Sequence, residues 1–234
     1  MTGTRRVQVL RGAAGALLLL ACAAPVRAQV WIGGSTPRAG SIELSGGVLW
    51  AQGFDLGSAA AVLTRNPTTG SGPLTLFNSE TRLEPVPGGQ ARVGVYLSRR
   101  VSVEGGVQYS RPRLSTRLSG DVEGADSVTV SESLTRYVFD GALVVHLPAF
   151  GGGRGVPFLT GGAGYLRELH AGNELVETGT QYYAGAGVKV WFGQTRRRFG
   201  IRGDAGIAVR DGGFDFEEGR RTMPTAAASV LYLF

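Results

Sequence analysis

The side chains able to do chemistry are few, and their spacing argues against a catalytic centre. Asp140 and His146 share one face of an extended segment, but six residues of strand separate them by about 20 Å, too far for a dyad. Glu168 and His170 carry groups a hydrolase could use, yet no serine stands beside them to complete a nucleophile–base arrangement. Gly151-Gly152-Gly153-Arg154-Gly155 has the glycine content of a phosphate loop. It lacks the Lys-Ser/Thr pair and a following helix, so it reads as a turn. Asp211-Gly212-Gly213 and Phe214 to Glu218 make an acidic loop, open to two readings: weak calcium binding or plain solvation. The sole cysteine, Cys22, excludes an intrachain disulfide framework and a Cys-based zinc site. We expect no catalytic residue, no metal and no cofactor.

Charge excludes a second class of function. The formal net charge is +6, but Arg5, Arg6, Arg11 and Arg27 all lie in the first 28 residues, which hold no acid. Without those four, 20 basic residues face 18 acidic ones, and the one basic run is Arg196-Arg197-Arg198. A nucleic-acid footprint needs a basic face, and this chain has none. The arginine run is placed to meet anionic headgroups, or to snorkel at an interface.

Residues 1–28 have the order of an export signal: a positive start, an apolar stretch from Gly12 to Ala21, and small residues in Val26-Arg27-Ala28 before a cut. Leu19-Leu20-Ala21-Cys22 is a competing lipidation motif, and both sites stay open, with cleavage after Ala28 preferred. Residues 29–40 are then a periplasmic N-terminal segment.

The elements that would position any site come from a period of two. Glycine supplies 38 of 234 residues, a frequency hostile to helices. Alternation, the strand signal, recurs in eight segments: 41–51, 90–99, 100–111, 134–147, 156–167, 180–192, 199–210 and 224–234. One face of each is apolar or small and carries no charge, as in Leu44, Gly46, Val48 and Trp50, or Ile201, Gly203, Ala205 and Ile207. The opposite face holds Glu43, Glu104, Asp140 and Asp204 against Arg92, Arg136, Arg202 and Lys189, the last being the only lysine of the chain.

A soluble sheet and a membrane barrel both alternate, with opposite meanings. Three features favour the barrel. Aromatics fall at two levels: Trp50, Tyr109, Tyr137, Tyr165 and Tyr182 at one end, Phe192, Phe199, Tyr232 and Phe234 at the other. Short connections alternate with long polar ones near 52–89, 112–133, 168–179 and 211–223. Residues 59–79 could form their own hairpin, Ala61 to Arg65 against Leu74 to Asn78, extending above the membrane or raising the strand count from eight to ten. The chain also ends on an alternating strand with Val230, Tyr232 and Phe234.

That ending resembles the closing strand of bacterial outer-membrane proteins, and the whole mature chain resembles small barrels of the OmpA/OmpX type. The resemblance implies a closed antiparallel up-and-down transmembrane β-barrel over 41–234 in the bacterial cell outer membrane. It also implies a terminal strand read by the barrel assembly machinery. The lumen charges must pair, because an unpartnered buried charge costs several kcal/mol. We expect a charge-filled narrow lumen and a structural or surface-interaction role, with outer-membrane lipid and an extracellular ligand held by the loops as partners. A narrow solute channel and a lipid-acting enzyme are the alternatives.

Overall fold

Alternating segments become strands, and their pairing decides what they enclose. A computed structural model describes residues 37–63, 73–170, 175–193, 198–212 and 220–234. The signal segment with Cys22, Arg196 and Arg197, and Gly213 to Glu218 lie outside the described residues. The strands are β1 (Ile42–Ala51), β2 (Phe54–Leu63), β3 (Leu74–Leu83), β4 (Val86–Tyr96), β5 (Val101–Ser110), β6 (Arg113–Ser119), β7 (Val128–Ser133), β8 (Thr135–His146), β9 (Gly155–Leu169), β10 (Val176–Trp191), β11 (Phe199–Gly212) and β12 (Arg221–Leu233). No helix occurs among the described residues.

Eight of them, β1, β4, β5, β8, β9, β10, β11 and β12, form a closed antiparallel barrel in chain order, with β1 pairing β12. Closure leaves no unpaired edge in this sheet. The apolar sets face outward: Val48 is 64% exposed, Ile207 55% and Phe234 62%, so among the described residues the outer wall has no partner layer. The charged sets face inward: Glu43, Glu104, Arg136, Asp140, Lys189 and Arg202 are buried, and Arg92 and Asp204 half-buried. Glycine makes room for them. A Cβ at Gly106 would stand 3.0 Å from the Arg92 Cγ and 3.3 Å from both Asp140 carboxylate oxygens.

The other four strands form a second sheet in the order β2-β3-β6-β7. It arises from the two long connections that follow β1 and β5. The hairpin expected within 59–79 pairs Ala61 with Phe77 and Leu63 with Leu74, and it enters this second sheet without adding strands to the barrel. The connection at 112–133, expected as a loop, supplies β6 and β7. Its strand content lay in short runs of Ser, Thr, Val and Leu that carry little hydrophobic contrast.

Between the two sheets the polarity of the faces inverts. In β5 the outward positions Val103, Val107 and Tyr109 are apolar and the inward ones polar. In β6 the order is reversed: Leu114 is buried and Leu118 half-buried, while Arg113 and Arg117 are exposed. Residues directly opposite in a ladder share a face. Leu83, Leu114 and Glu132 therefore lie on one side, as do Ser79, Leu118 and Val128, while Arg82, Ser115 and Ser131 lie on the other.

At the junction Leu56, Leu83, Leu114 and Leu134 pack together at 0%, 3%, 7% and 0% exposure, with Phe54 against them. Leu56, Leu83 and Leu114 come from β2, β3 and β6, and Leu134 is the residue between β7 and β8, so these four leucines tie both hairpins together. Burying a leucine is worth about 1.5–3 kcal/mol relative to exposing it.

Candidate functional site

Among the described residues the polar lumen is where titratable side chains converge, and they form three storeys along the axis. The first lies near the short-turn end. Lys189 on β10 is fully buried. It donates to both Glu43 oxygens on β1, at 2.7 and 2.9 Å, and to Glu104 Oε1 on β5 at 3.4 Å. Arg202 on β11 donates to Glu104 Oε2 at 2.7 Å and through Nε to Asp204 Oδ1 at 2.8 Å. Tyr96 donates its hydroxyl to Glu43 Oε2 at 2.8 Å and stacks on His146 with centroids 5.0 Å apart. The Arg202 guanidinium lies 4.5 Å from the centroid of Phe158. Below, Tyr96, Trp191, Leu231 and Leu233 form an apolar floor.

The middle storey centres on Asp140. It accepts from Arg92 at 2.7 and 3.3 Å, from the Tyr183 hydroxyl at 2.7 Å and from Gln108 Nε2 at 3.0 Å. The forked geometry matches a planar guanidinium to a carboxylate.

The third storey lies beneath the four leucines. Glu168, with a fully buried side chain, accepts from Arg136 Nε at 2.8 Å and from Arg210 through both terminal nitrogens, Nη1 lying at 3.1 Å from Oε1. Arg210 also donates to the Gly212 carbonyl at 2.8 Å and lies 5.6 Å from the Phe54 centroid.

All eight charges read from the sequence thus face the lumen, and each meets an opposite charge: Glu43 and Glu104 with Lys189, Glu104 and Asp204 with Arg202, Asp140 with Arg92, and Arg136 with Glu168. Sequence reasoning missed Glu168 and Arg210 as lumen residues. It ended the fifth segment at 167 and gave Glu168 to a rim loop, whereas β9 runs to Leu169 and keeps the inward parity of Phe158. Continued alternation was the signal. Glu168 does not join His170, whose Nδ1 lies 3.3 Å from Glu132 Oε1. His146 packs against Tyr96, and Asp140 belongs to a different storey.

Between the storeys is a cavity of about 70 Å³ whose lining includes Arg92, Gln108, Arg136, Thr160, Gln181 and Tyr183. At ~10–15 Å³ per water it has room for a few water molecules. Gly151, Gly152 and Gly153 adopt φ of 60°, 67° and 77° in the turn between β8 and β9, a left-handed path suited to glycine. Tyr232 packs edge-on against Phe199 and Phe234, at 4.9 and 4.6 Å between centroids, with Val230 and Phe234 exposed on the outer wall.

No family profile matches the sequence, and no curated protein matches it either. Solved structures do. The outer membrane protein OprG from Pseudomonas aeruginosa aligns with a TM-score of 0.51 at 11% identity, over 85% of this chain and 98% of that one. Ail, the attachment invasion locus protein of Yersinia pestis, aligns with a TM-score of 0.42 at 13% identity, over 84% and 99%. The chain therefore has the fold of a small eight-stranded outer-membrane barrel.

Proposed function

We propose that this chain is an exported outer-membrane barrel with a structural or surface-interaction role, carried by the sheet and loops beyond the barrel and requiring no catalysis. The observation that carries the reading is the inversion of polarity where the two sheets meet, with Leu83 and Leu114 buried and Arg82 and Arg113 exposed. An apolar outer wall around a polar interior suits hydrocarbon outside. A polar outer side with an apolar inner side suits water outside. The switch falls between Tyr109 and Leu114, beside the contact of Tyr109 with Tyr137 at 5.3 Å, where amphipathic rings favour headgroup depth. On this reading the long connections and second sheet face the exterior, and the short turns and both termini face the periplasm. Residues 1–28 are the export signal. Lipid surrounds the wall, and Val230, Tyr232 and Phe234 present the strand that the assembly machinery reads.

The storeys, the apolar floor and the leucine cap favour a closed lumen over a narrow channel. Glu168, held by two arginines, is committed to an ion-pair cluster, which favours the non-catalytic reading over a lipid-acting enzyme. The test is membrane fractionation with SDS migration before and after boiling. The intact protein should sediment with outer membrane and shift on heating. Deleting Phe234, or Tyr232→Asp, should leave the chain periplasmic and degraded. A steady porin-sized conductance from reconstituted protein would move the reading to a channel, and turnover of labelled lipid would move it to an enzyme.

A further inference from the structure

We propose that β7 is a docking edge that takes up an extended, basic peptide strand from another protein. This rests on the reading that places the second sheet outside the membrane.

That sheet has two edges, β2 and β7, and they are built differently. The β2 edge is irregular: its register shifts between Asp55 and Gly57 and again between Ala61 and Val62, and Gly57 takes φ 128°. Bulges of this kind twist an edge away from new partners. The β7 edge has no such device. Its six residues, Val128 to Ser133, pair Arg113 to Leu118 without a shift and include no Lys, Pro or Gly. Residues Val128 to Ser131 are all exposed, with Val128 at 55% and Val130 at 58%. An extended peptide laid along β7 would gain main-chain hydrogen bonds for affinity and alternate side-chain positions for specificity.

The faces define the side chains wanted. One face of the sheet presents Val128, Val130, Leu118 and Phe77, and the other Thr129, Ser131 and Arg117. The incoming strand should alternate, apolar on the first face and polar on the second.

Charge defines the class of partner. The approach to β7, residues 120–127, holds Asp121, Glu123 and Asp126 and no base, and Glu132, within the strand, is the acid that meets His170. Arg113 and Arg117 are one strand further in, about 10 Å from an added strand at ~4.8 Å per strand spacing. The edge therefore favours cations. It also disfavours a second copy of this chain, because antiparallel β7–β7 pairing brings the Asp126 end of each copy towards Glu132 of the other.

The test uses the full mature chain in phospholipid nanodiscs and two labelled ten-residue peptides. Both alternate Val and Thr; one is flanked by Lys, the other by Glu. The Lys peptide should bind saturably, at least tenfold more tightly than the Glu peptide, and weaken with salt. Neighbouring residues of a strand turn their N–H groups in opposite directions. Of Thr129→Pro and Val130→Pro, one therefore removes an outward donor and spares the ladder to β6. That variant should lose binding at least tenfold and keep heat-modifiable migration, while Ala60→Pro on β2 should leave binding unchanged. No saturable binding by a heat-modifiable protein, equal affinity for the Glu peptide, retention of binding in both β7 variants, or a β7-dependent homodimer would each overturn the proposal. Loss of heat-modifiable migration by the unsubstituted protein would instead sink the barrel reading beneath it.

Discussion

The barrel and the second sheet are built from one chain with one period, yet where they meet they place their apolar residues on opposite sides. In the barrel, Val103, Val107 and Tyr109 point out and Glu104 points in. One strand later, Leu114 points in and Arg113 out. The strand geometry is the same, and on the proposed reading the difference is one of solvent. A strand can change environment by shifting the parity of its apolar residues, and the loop at Arg111-Pro112 is where β5 gives way to β6. The two regions also differ in what holds them. The barrel interior relies on ion pairs between strands far apart around the wall, such as Lys189 on β10 with Glu43 on β1. The second sheet relies on four leucines and on short-range contacts such as Thr81 with Thr116 at 3.1 Å.

The contrast is broken most strongly by taking away the lysine. Lys189→Ala leaves Glu43 and Glu104 buried with one cation fewer, and losing one partner of a buried pair costs about 3–5 kcal/mol. Urea unfolding in lipid vesicles should register that loss. Adding Glu43→Gln to Lys189→Ala should recover part of it; an unchanged midpoint in the single variant would mean that the first storey contributes nothing.

The same substitution placed in each region sharpens the comparison. Val188→Arg puts a guanidinium on the outer wall near mid-barrel and should cost about 2–4 kcal/mol in a lipid-reversible unfolding assay. Val130→Arg, on an exposed position of β7, should change stability by no more than about 0.5 kcal/mol. Equal costs would erase the difference in solvent on which the outer-membrane reading depends.

A smaller and more local effect is expected at the junction. Leu83→Ala opens a void among the four leucines, typically a loss of about 2–5 kcal/mol when the whole fold shares it. Here it should appear as faster amide exchange in β2, β3 and β6, with the barrel's own unfolding midpoint little changed. A shift of both together would show the two sheets to be one cooperative unit.

Much of the fold was legible because alternation is a local property. Each of the eight segments read from the sequence coincides with a barrel strand, and outward residues such as Leu44, Val93, Leu159 and Val230 are exposed as their parity requires. Local signals misled where special residues serve a purpose. Pro87, Gly88 and Gly89 read as loop, yet β4 begins at Val86, and a Cβ at Gly88 would stand 2.4 Å from the Tyr109 carbonyl oxygen, so glycine is there for close packing. The second sheet was half legible: β2 and β3 as a hairpin, β6 and β7 only as loop.

By itself, then, the sequence determined which residues extend, which face of each strand meets which environment, and that the inward charges must find partners. Those are consequences of a two-residue period and of the cost of an unpaired buried charge, and neither needs coordinates. The tertiary structure alone decided who pairs with whom. Lys189 reaches Glu43 across 146 positions, and Arg210 reaches Glu168 across 42, because closure and stagger of eight strands set which side chains share a level of the lumen. Spacing along one strand carries no information about distance across the barrel. For the same reason the joining of two distant hairpins through β3 and β6, and the four leucines beneath them, emerged only when the chain was folded.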